Sequence, residues 1–208
     1  MKLVIISDTH GQHAKLKLPE GDLLIHAGDI SNTGNNTDTL RFLNWFARQN
    51  FSHKIFIAGN HDFSFERESA AHIEKIIPAG VVYLNDSGTT VNGFRIWGSP
   101  VTPWFQNWAF NRHPGRDINR HWNLIPAGTD ILITHGPVFG MLDKNAEGQH
   151  IGCKDLLHKI SEIKPKLHIF GHIHEGYGTA NKDNVQFINA SVLNERYQLV
   201  NAPVLVEI

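Results

Sequence analysis

Cysteine is all but absent: Cys153 stands alone in 208 residues. A single cysteine excludes an internal disulfide, and with it the small stapled fold of many secreted domains. Cys153 reads as a small buried hydrophobe rather than a reactive thiol. Net charge is nearly absent too, with 19 Lys and Arg against 20 Asp and Glu. Such a chain has no broad cationic field for tracking a duplex, so extended nucleic acid is disfavoured as a partner. No apolar run approaches the ~20 residues of a membrane span, which argues against a membrane. The first strand-like run, Leu3–Ile6, begins almost at Met1 with no leader-like stretch before it, so the expected location is the cytoplasm. Repeats, low-complexity tracts and linkers are missing as well. The chain therefore reads as one domain over residues 1–208.

Histidine, by contrast, is plentiful, with 14 copies. Five of them fall in short polar segments, each directly after an apolar run. Asp8-Thr9-His10 follows Leu3–Ile6, and Gly28-Asp29 follows Leu23–Ile25. Gly59-Asn60-His61-Asp62 follows Ile55–Ile57, Thr134-His135-Gly136 follows Ile131–Ile133, and Gly171-His172-Ile173-His174 follows Leu167–Phe170. In open α/β sheets the ligand crevice lies beyond the carboxyl ends of the strands. Five such ends tipped with Asp, Asn and His predict one site assembled from the length of the chain. Of the other histidines, His26 and His168 read as core residues or supports of the site. His113 and His150, in loops, are within possible reach of a substrate.

The rest of the pattern mixes two grammars. A helix is predicted over Thr37–Asn50, capped by Thr37 or Asp38, with Leu40, Leu43 and Phe46 at helical spacing. A second is predicted over Glu66–Ile77, stopped by Pro78 and Gly80. Strand–helix alternation implies parallel pairing. Later, Val81–Leu84, Thr89–Val91, Phe94–Trp97, Gln186–Ile188 and Val204–Ile208 read as short strands, with Val91-Asn92-Gly93-Phe94 as a hairpin turn. Two mixed sheets packed together with helices outside fit this mixture. Ser99–Asn123 has no period. Its Trp104, Phe105, Trp108, Phe110 and Trp122 argue against disorder, and long irregular stretches in compact domains are commonly functional.

Chemically, Asp-x-His sets a carboxylate and an imidazole on alternate positions, so both can lean on one cation. Glycine before Asp29 permits a tight turn and close approach, and a carboxylate has two oxygens with which to bridge two cations. Asn60 offers a neutral oxygen; His135, His172 and His174 offer nitrogen. Mixed N/O ligation without cysteine suits Mn, Fe or Zn and disfavours a closed structural zinc. Two such ions ~3.5–4 Å apart can generate hydroxide and clamp both oxygens of an in-line phosphoryl displacement. His-x-His alone is commonplace on solvated faces; the five segments in this order are not.

This ordered set resembles the signature of the calcineurin-like metallophosphoesterase superfamily, over residues 3 to about 191. Within it, Trp97–Trp108, Trp122–Pro126, Asp130–Pro137 and Phe170–Gly178 are similar to the small brain-type metallophosphoesterase-domain group and its microbial relatives. The resemblance implies a four-layer αββα sandwich of two mixed β-sheets flanked by helices. It also implies a two-metal phosphodiesterase acting on small phosphate esters, often cyclic nucleotides or aryl diesters, by attack of a hydroxide held between the metals. Carried over, the family pattern places Asp8, His10, His174 and bridging Asp29 on one metal. It places Asp29, Asn60, His135 and His172 on the other. His61 becomes a general acid, with Asp62 as its orienting partner. Protein phosphatases of the superfamily read Gly-Asp-x-x-Asp-Arg-Gly, whereas residues 28–34 here contain neither the second acid nor the arginine. Some brain-type members carry glycine at the position of His172; its presence here argues for an active enzyme. A phosphomonoesterase, a nuclease and a non-catalytic scaffold are the competing readings. For Trp104, Phe105 and Trp108 packing of the loop's underside is favoured over base stacking, and for Arg112 and Arg116 an exposed charge is favoured over phosphate contact. Asn189-Ala190-Ser191 is expected behind the metal site, and Gly176-Tyr177-Gly178 is expected to turn so as to fix His174.

Overall fold

Along the first strand, Leu3 and Ile5 turn to one face and Val4 and Ile6 to the other, and all four are fully buried. A strand covered on both faces belongs inside a layered structure, and the computed structural model, which describes residues 1–208, has that form. The strands are β1 (Lys2–Ile6), β2 (Leu23–Ala27), β3 (His53–Ile57), β4 (Val82–Tyr83), β5 (Ser87–Val91), β6 (Phe94–Ser99) and β7 (Thr102–Pro103). They continue as β8 (Asn111–Arg112), β9 (Ile131–Thr134), β10 (Leu167–Phe170), β11 (Gly178–Lys182), β12 (Val185–Asn189) and β13 (Val204–Glu207). The helices are α1 (Asn36–Ala47), α2 (Phe63–Arg67), α3 (Ala70–Ile76), α4 (Arg116–Trp122) and α5 (Lys154–Ile163).

One sheet has the order β13-β1-β2-β3-β4 and the other β11-β12-β10-β9-β6-β5; β7 and β8 form a separate ribbon. Both large sheets are parallel in the middle and antiparallel at an edge. Three apolar clusters mark the layers. Leu3, Ile5, Ile25, Ile55, Ile133 and Ile169 fill the space between the sheets. Val4, Ile6 and Leu24 meet Phe42, Phe46 and Phe65 of the first helices. Leu132 and Phe170 meet Trp122, Leu156 and Ile160 of α4 and α5. This is the expected αββα sandwich. With each fully buried aliphatic or aromatic side chain worth roughly 1.5–3 kcal/mol, the central strands are its most secure part.

Local details depart from the pattern. The side chain that caps α1 is Asn35, whose Oδ1 accepts from the Asp38 amide at 2.9 Å; Thr37 and Asp38 lie inside the helix. Its buried face runs through Thr39, Phe42, Leu43 and Phe46, leaving Leu40 43% exposed. The single helix expected over Glu66–Ile77 is two. Glu68 is extended, and Ser69 starts α3 by accepting from the His72 amide. Residues 99–123 contain the β7–β8 ribbon and α4, and Gly178 opens a strand rather than completing a turn. The Asn92-Gly93 turn is as expected, with φ of 48° and 83°. Cys153 is buried and caps α5 through its sulfur. No helix is long and apolar enough to cross a membrane.

Candidate metal centre

The parallel strands β1, β2, β3, β9 and β10 end side by side, and the backbone turns sharply after each. Asp8, His10, Asp29 and His172 all have left-handed φ, at 53°, 41°, 56° and 68°. Each such residue costs about 1–3 kcal/mol of local strain unless its surroundings hold it. They are held: the Asp8 amide donates to the Gly28 carbonyl at 2.9 Å and the His10 amide to the Asp29 carbonyl at 3.1 Å. Two glycines make room for the carboxylates. A Cβ on Gly59 would collide with Asp29 Oδ1, and one on Gly171 with Asp8 Oδ2.

At the centre stands one oxygen. Asp29 Oδ2 lies 3.3 Å from His135 Nε2, 3.7 Å from His10 Nε2 and 4.0 Å from His61 Nε2. Asn60 Oδ1 reaches His135 Nε2 at 2.9 Å, and Asp8 Oδ1 lies 3.5 Å from His174 Nε2. The candidate ligand atoms gather in three groups: Asp8, His10 and His174; Asp29, His135 and His172; and His10, Asp29 and His61. Asp29 and His10 each belong to two of them.

The imidazoles are aimed from behind. His135 Nδ1 faces the Ala27 carbonyl at 2.9 Å, His174 Nδ1 the Asn194 carbonyl at 2.9 Å, and His61 Nδ1 the Asn32 carbonyl at 2.7 Å. A carbonyl only accepts, so each Nδ1 carries hydrogen and each Nε2 is turned toward the centre, as outer partners of metal-ligating histidines arrange them. Asp8 accepts from the Ser191 hydroxyl at 2.7 Å and from the His172 amide at 3.0 Å. Asp29 accepts from the His61 amide at 2.8 Å.

Titration follows this crowding. Burial pushes the Asp8 carboxyl up, but the hydrogen bond and charge of His174, with His135 and His10, hold it well below its ordinary value. Asp29 is lowered in the same way, the charge and hydrogen bond of His135 leading against burial. Burial presses His135 and His174 down, and their carboxylates overcome it, raising both to about 9. His172 goes the other way, to about 4, because burial dominates. Both ring nitrogens of buried His10 lack any hydrogen-bond partner. A buried donor or acceptor without a partner is costly, and a cation held with Asp8, Asp29 and His174 would give one of the two His10 nitrogens a partner. The donor set thus fits two small cations bound through oxygen and imidazole nitrogen.

Several expected neighbours behave differently. Asp62 does not orient His61. Its carboxylate turns away and accepts from the amides of Ile30, Ser31 and Gly59 and from the Ser31 hydroxyl. It thereby ties the loop after β2 to the loop after β3, while the Asn32 carbonyl orients the imidazole. Burial and the charge of Asp29 push Asp62 up to about 6 against those donors. Arg112 is engaged by Glu66 at 3.1 Å, and Arg116 is exposed at the start of α4. His150 is bound to Asp143 in its own loop at 2.6 Å. His113 stacks on exposed Trp104. Trp108 stacks on the His61 ring, with centroids 4.2 Å apart. His26 and His168 are supports: each lies buried against a strand-end threonine, Thr9 at 2.9 Å and Thr134 at 2.8 Å. Asn189 donates to the Ile173 carbonyl at 2.7 Å and so steadies the His172–His174 turn from behind. Ser191 stands behind the site as expected of Asn189-Ala190-Ser191, its hydroxyl on Asp8, whereas Asn194 and Tyr197 belong to no motif that sequence reasoning picks out. The ring of Tyr197 packs 4.8 Å from that of His10 and 5.2 Å from that of His174. Burial and the charges of Asp29 and Asp8 raise its phenol above the ordinary value.

Known proteins resemble this chain in sequence and in fold. The human metallophosphoesterase domain-containing protein 1 is 40% identical over 230 aligned residues, which cover all of this chain and 71% of the relative. The UPF0046 protein T07D4.2 of Caenorhabditis elegans is 35% identical, across all of this chain and 60% of its own length. A solved crystal structure, 18% identical, superposes with a TM-score of 0.64 over 90% of this chain and 89% of its own, which supports the fold alone. The family model described as calcineurin-like phosphoesterase matches residues 1–176. The chain belongs to the calcineurin-like phosphoesterase family.

Proposed function

We propose that the protein is a dinuclear metal-dependent phosphodiesterase for small diesters, cyclic nucleotides among them. One observation carries the reading: a single carboxylate oxygen, Asp29 Oδ2, faces the nitrogens of three histidines drawn from both sheets. That placement would suit a carboxylate shared by two ions. Asp8, His10, His174 and Asp29 would hold the first, and Asp29, Asn60, His135 and His172 the second; Mn, Fe and Zn suit this donor set. Bound there, the pair supplies Lewis acidity toward phosphoryl oxygens and lowers the pKa of water.

The chain's own part is positional. The Asn32 carbonyl holds His61 Nδ1, so Nε2 is the face offered to substrate. Protonated there, His61 delivers the proton to the leaving oxygen and then accepts one from water. Asp62 fixes the two loops that carry Asp29 and His61 and leaves the ring free. Ser191 and the His172 amide keep Asp8 aimed. The diester preference rests on the loop after Asp29. Ile30-Ser31-Asn32-Thr33 brings no second acid and no arginine, so the dianionic end of a monoester lacks a cationic clamp here.

The deciding measurement is turnover of the manganese-loaded protein on matched aryl mono- and diesters and on cyclic nucleotides, with and without chelator. Faster diester cleavage, abolished by chelation, is expected. A faster monoester would make it a phosphomonoesterase. Activity on single-stranded DNA with steep salt dependence would make it a nuclease. A loaded protein inert toward every ester would make it a binding scaffold.

A further inference from the structure

Beyond the matched residues 1–176, the chain returns to the centre once more. Val192 and Leu193 are fully buried, and from that base residues 194–199 form a loop closed by pairing of Leu193 with Leu199. Asn194 is its hub. Its side-chain oxygen accepts from the amides of Arg196 and Gln198, and its carbonyl accepts both from the Tyr197 amide and from His174 Nδ1. Gln12, two residues past His10, donates from its side chain to the Tyr197 carbonyl at 2.9 Å. The loop is therefore tied directly to the segments that carry the candidate ligands.

This bracing serves to hold Tyr197 in a conformation its side chain resists. Its φ is 58°, uncommon for a bulky residue and persistent only where surroundings enforce it. Enforced, the ring lies edge-on to both His10 and His174, 4.8 and 5.2 Å away, while the residue stays 46% exposed. None of the loop's hydrogen bonds uses the phenolic oxygen. A tyrosine that only packed would bury its ring; here strain keeps it at the border between ligands and solvent.

The centre also has a need. Every ion pair of Asp8 and Asp29 is with a histidine, and Arg112 is spent on Glu66. Neither acid is paired with a lysine or arginine. Beside His10 stands His61, its ring 4.8 Å from that of His10 and covered by Trp108. Tyr197 borders His10 and His174.

We propose that Tyr197 contacts substrate, donating its phenolic hydrogen to a non-bridging phosphoryl oxygen beside His10 and His174. The inference rests on the phosphoesterase reading for its ligand, but its test does not require turnover. Tyr197→Phe keeps the ring and its packing and removes only the hydroxyl. With two manganese ions per chain confirmed by elemental analysis, inorganic phosphate should bind about 10- to 100-fold more weakly than to the parent, the scale of a hydrogen bond to a charged acceptor. If the parent turns esters over, kcat/KM should fall by a similar factor with the optimum pH unmoved. Equal phosphate affinity in the two proteins would overturn the proposal, as would loss of metal from the variant, which would tie the hydroxyl to the ligands instead. Tyr197→Leu is the companion: it removes hydroxyl and ring together. Phosphate affinity equal to the parent's in that variant would also sink the idea, whatever the phenylalanine protein does. Should the parent bind phosphate yet cleave nothing, the enzymatic reading fails while the comparison of affinities still decides the role of Tyr197.

Discussion

At its site end the first sheet carries the carboxylates of Asp8 and Asp29, the amide of Asn60 and two imidazoles, His10 and His61. The second sheet carries three imidazoles, His135, His172 and His174, and no acid among the candidate ligands. Negative charge therefore comes from one sheet alone and most of the imidazole nitrogen from the other, and neither half has a complete set. The protonation pattern reflects the division: the two acids are driven down, and two of the histidines that face them across the gap are driven up to about 9. Protons stand in for cations there. The centre is thus an inter-sheet bond, and its binding strength depends on how the layers are packed as much as on the ligands themselves.

The severest test of that division is Asp29→Ala beside His172→Ala. Losing the shared acid should empty both sites and abolish turnover, whereas losing one imidazole should remove a single ion. Elemental analysis distinguishes them, and two metals per chain in the Asp29 variant would end the bridging assignment. Next comes His61→Ala, expected to keep both metals and lose roughly 10²–10⁴-fold in kcat, the range of positioned acid–base help. A halved metal content would enrol His61 as a ligand, in line with its grouping with His10 and Asp29.

The gentlest perturbation is pH. His135 and His174 hold their protons more tightly folded than unfolded, so the stability they contribute to the metal-free protein is complete below pH 6.5 and drains away as pH rises through about 9. Cations compete with those same protons, so manganese affinity should climb over the same interval. On the acid side burial depresses His13, His26, His168 and His172 to between about 3 and 4. Their contribution is present above pH 6.5 and is lost as pH falls toward those values. Thermal midpoints of the metal-free protein should accordingly peak near neutrality. A midpoint still rising between pH 7 and 9 would contradict the pairing of His135 and His174 with the acids.

The sequence exposes the architecture unevenly, for physical reasons. The five central strands are legible because fully buried parallel strands are unbroken apolar runs, and the polar tips after them name the centre. Helix α5 is not legible: its cap is Cys153, and only Leu156 and Ile160 are buried along it. Helix α4 is hidden likewise, following Gly115 with no capping side chain. The spacing in α1 finds Leu43 and Phe46 on the buried face but misplaces its edge, because Leu40 is apolar yet exposed, while Thr39 is polar yet buried. Asp62 sits beside His61 in the chain but is turned into the loops by four donors, which adjacency cannot reveal. Ser191 is legible only through its family segment, and Asn194 and Tyr197 carry no motif. Their meaning comes only from where the chain returns.

That return has a consequence for synthesis. Ser7 pairs with Ser191 in an isolated bridge between the end of β1 and the segment after β12, its amide bonding to the Ala190 carbonyl at 2.8 Å. This seam joins the two sheets beside Asp8, across nearly the whole span of the chain. Contacts of such long sequence separation form late. A nascent chain therefore has both its carboxylates and most of its histidines long before Asp8 acquires the hydroxyl that aims it. Cation loading should mark the last residues' arrival, so that a chain cut short upstream of Ser191 would be left with ligands and no working centre.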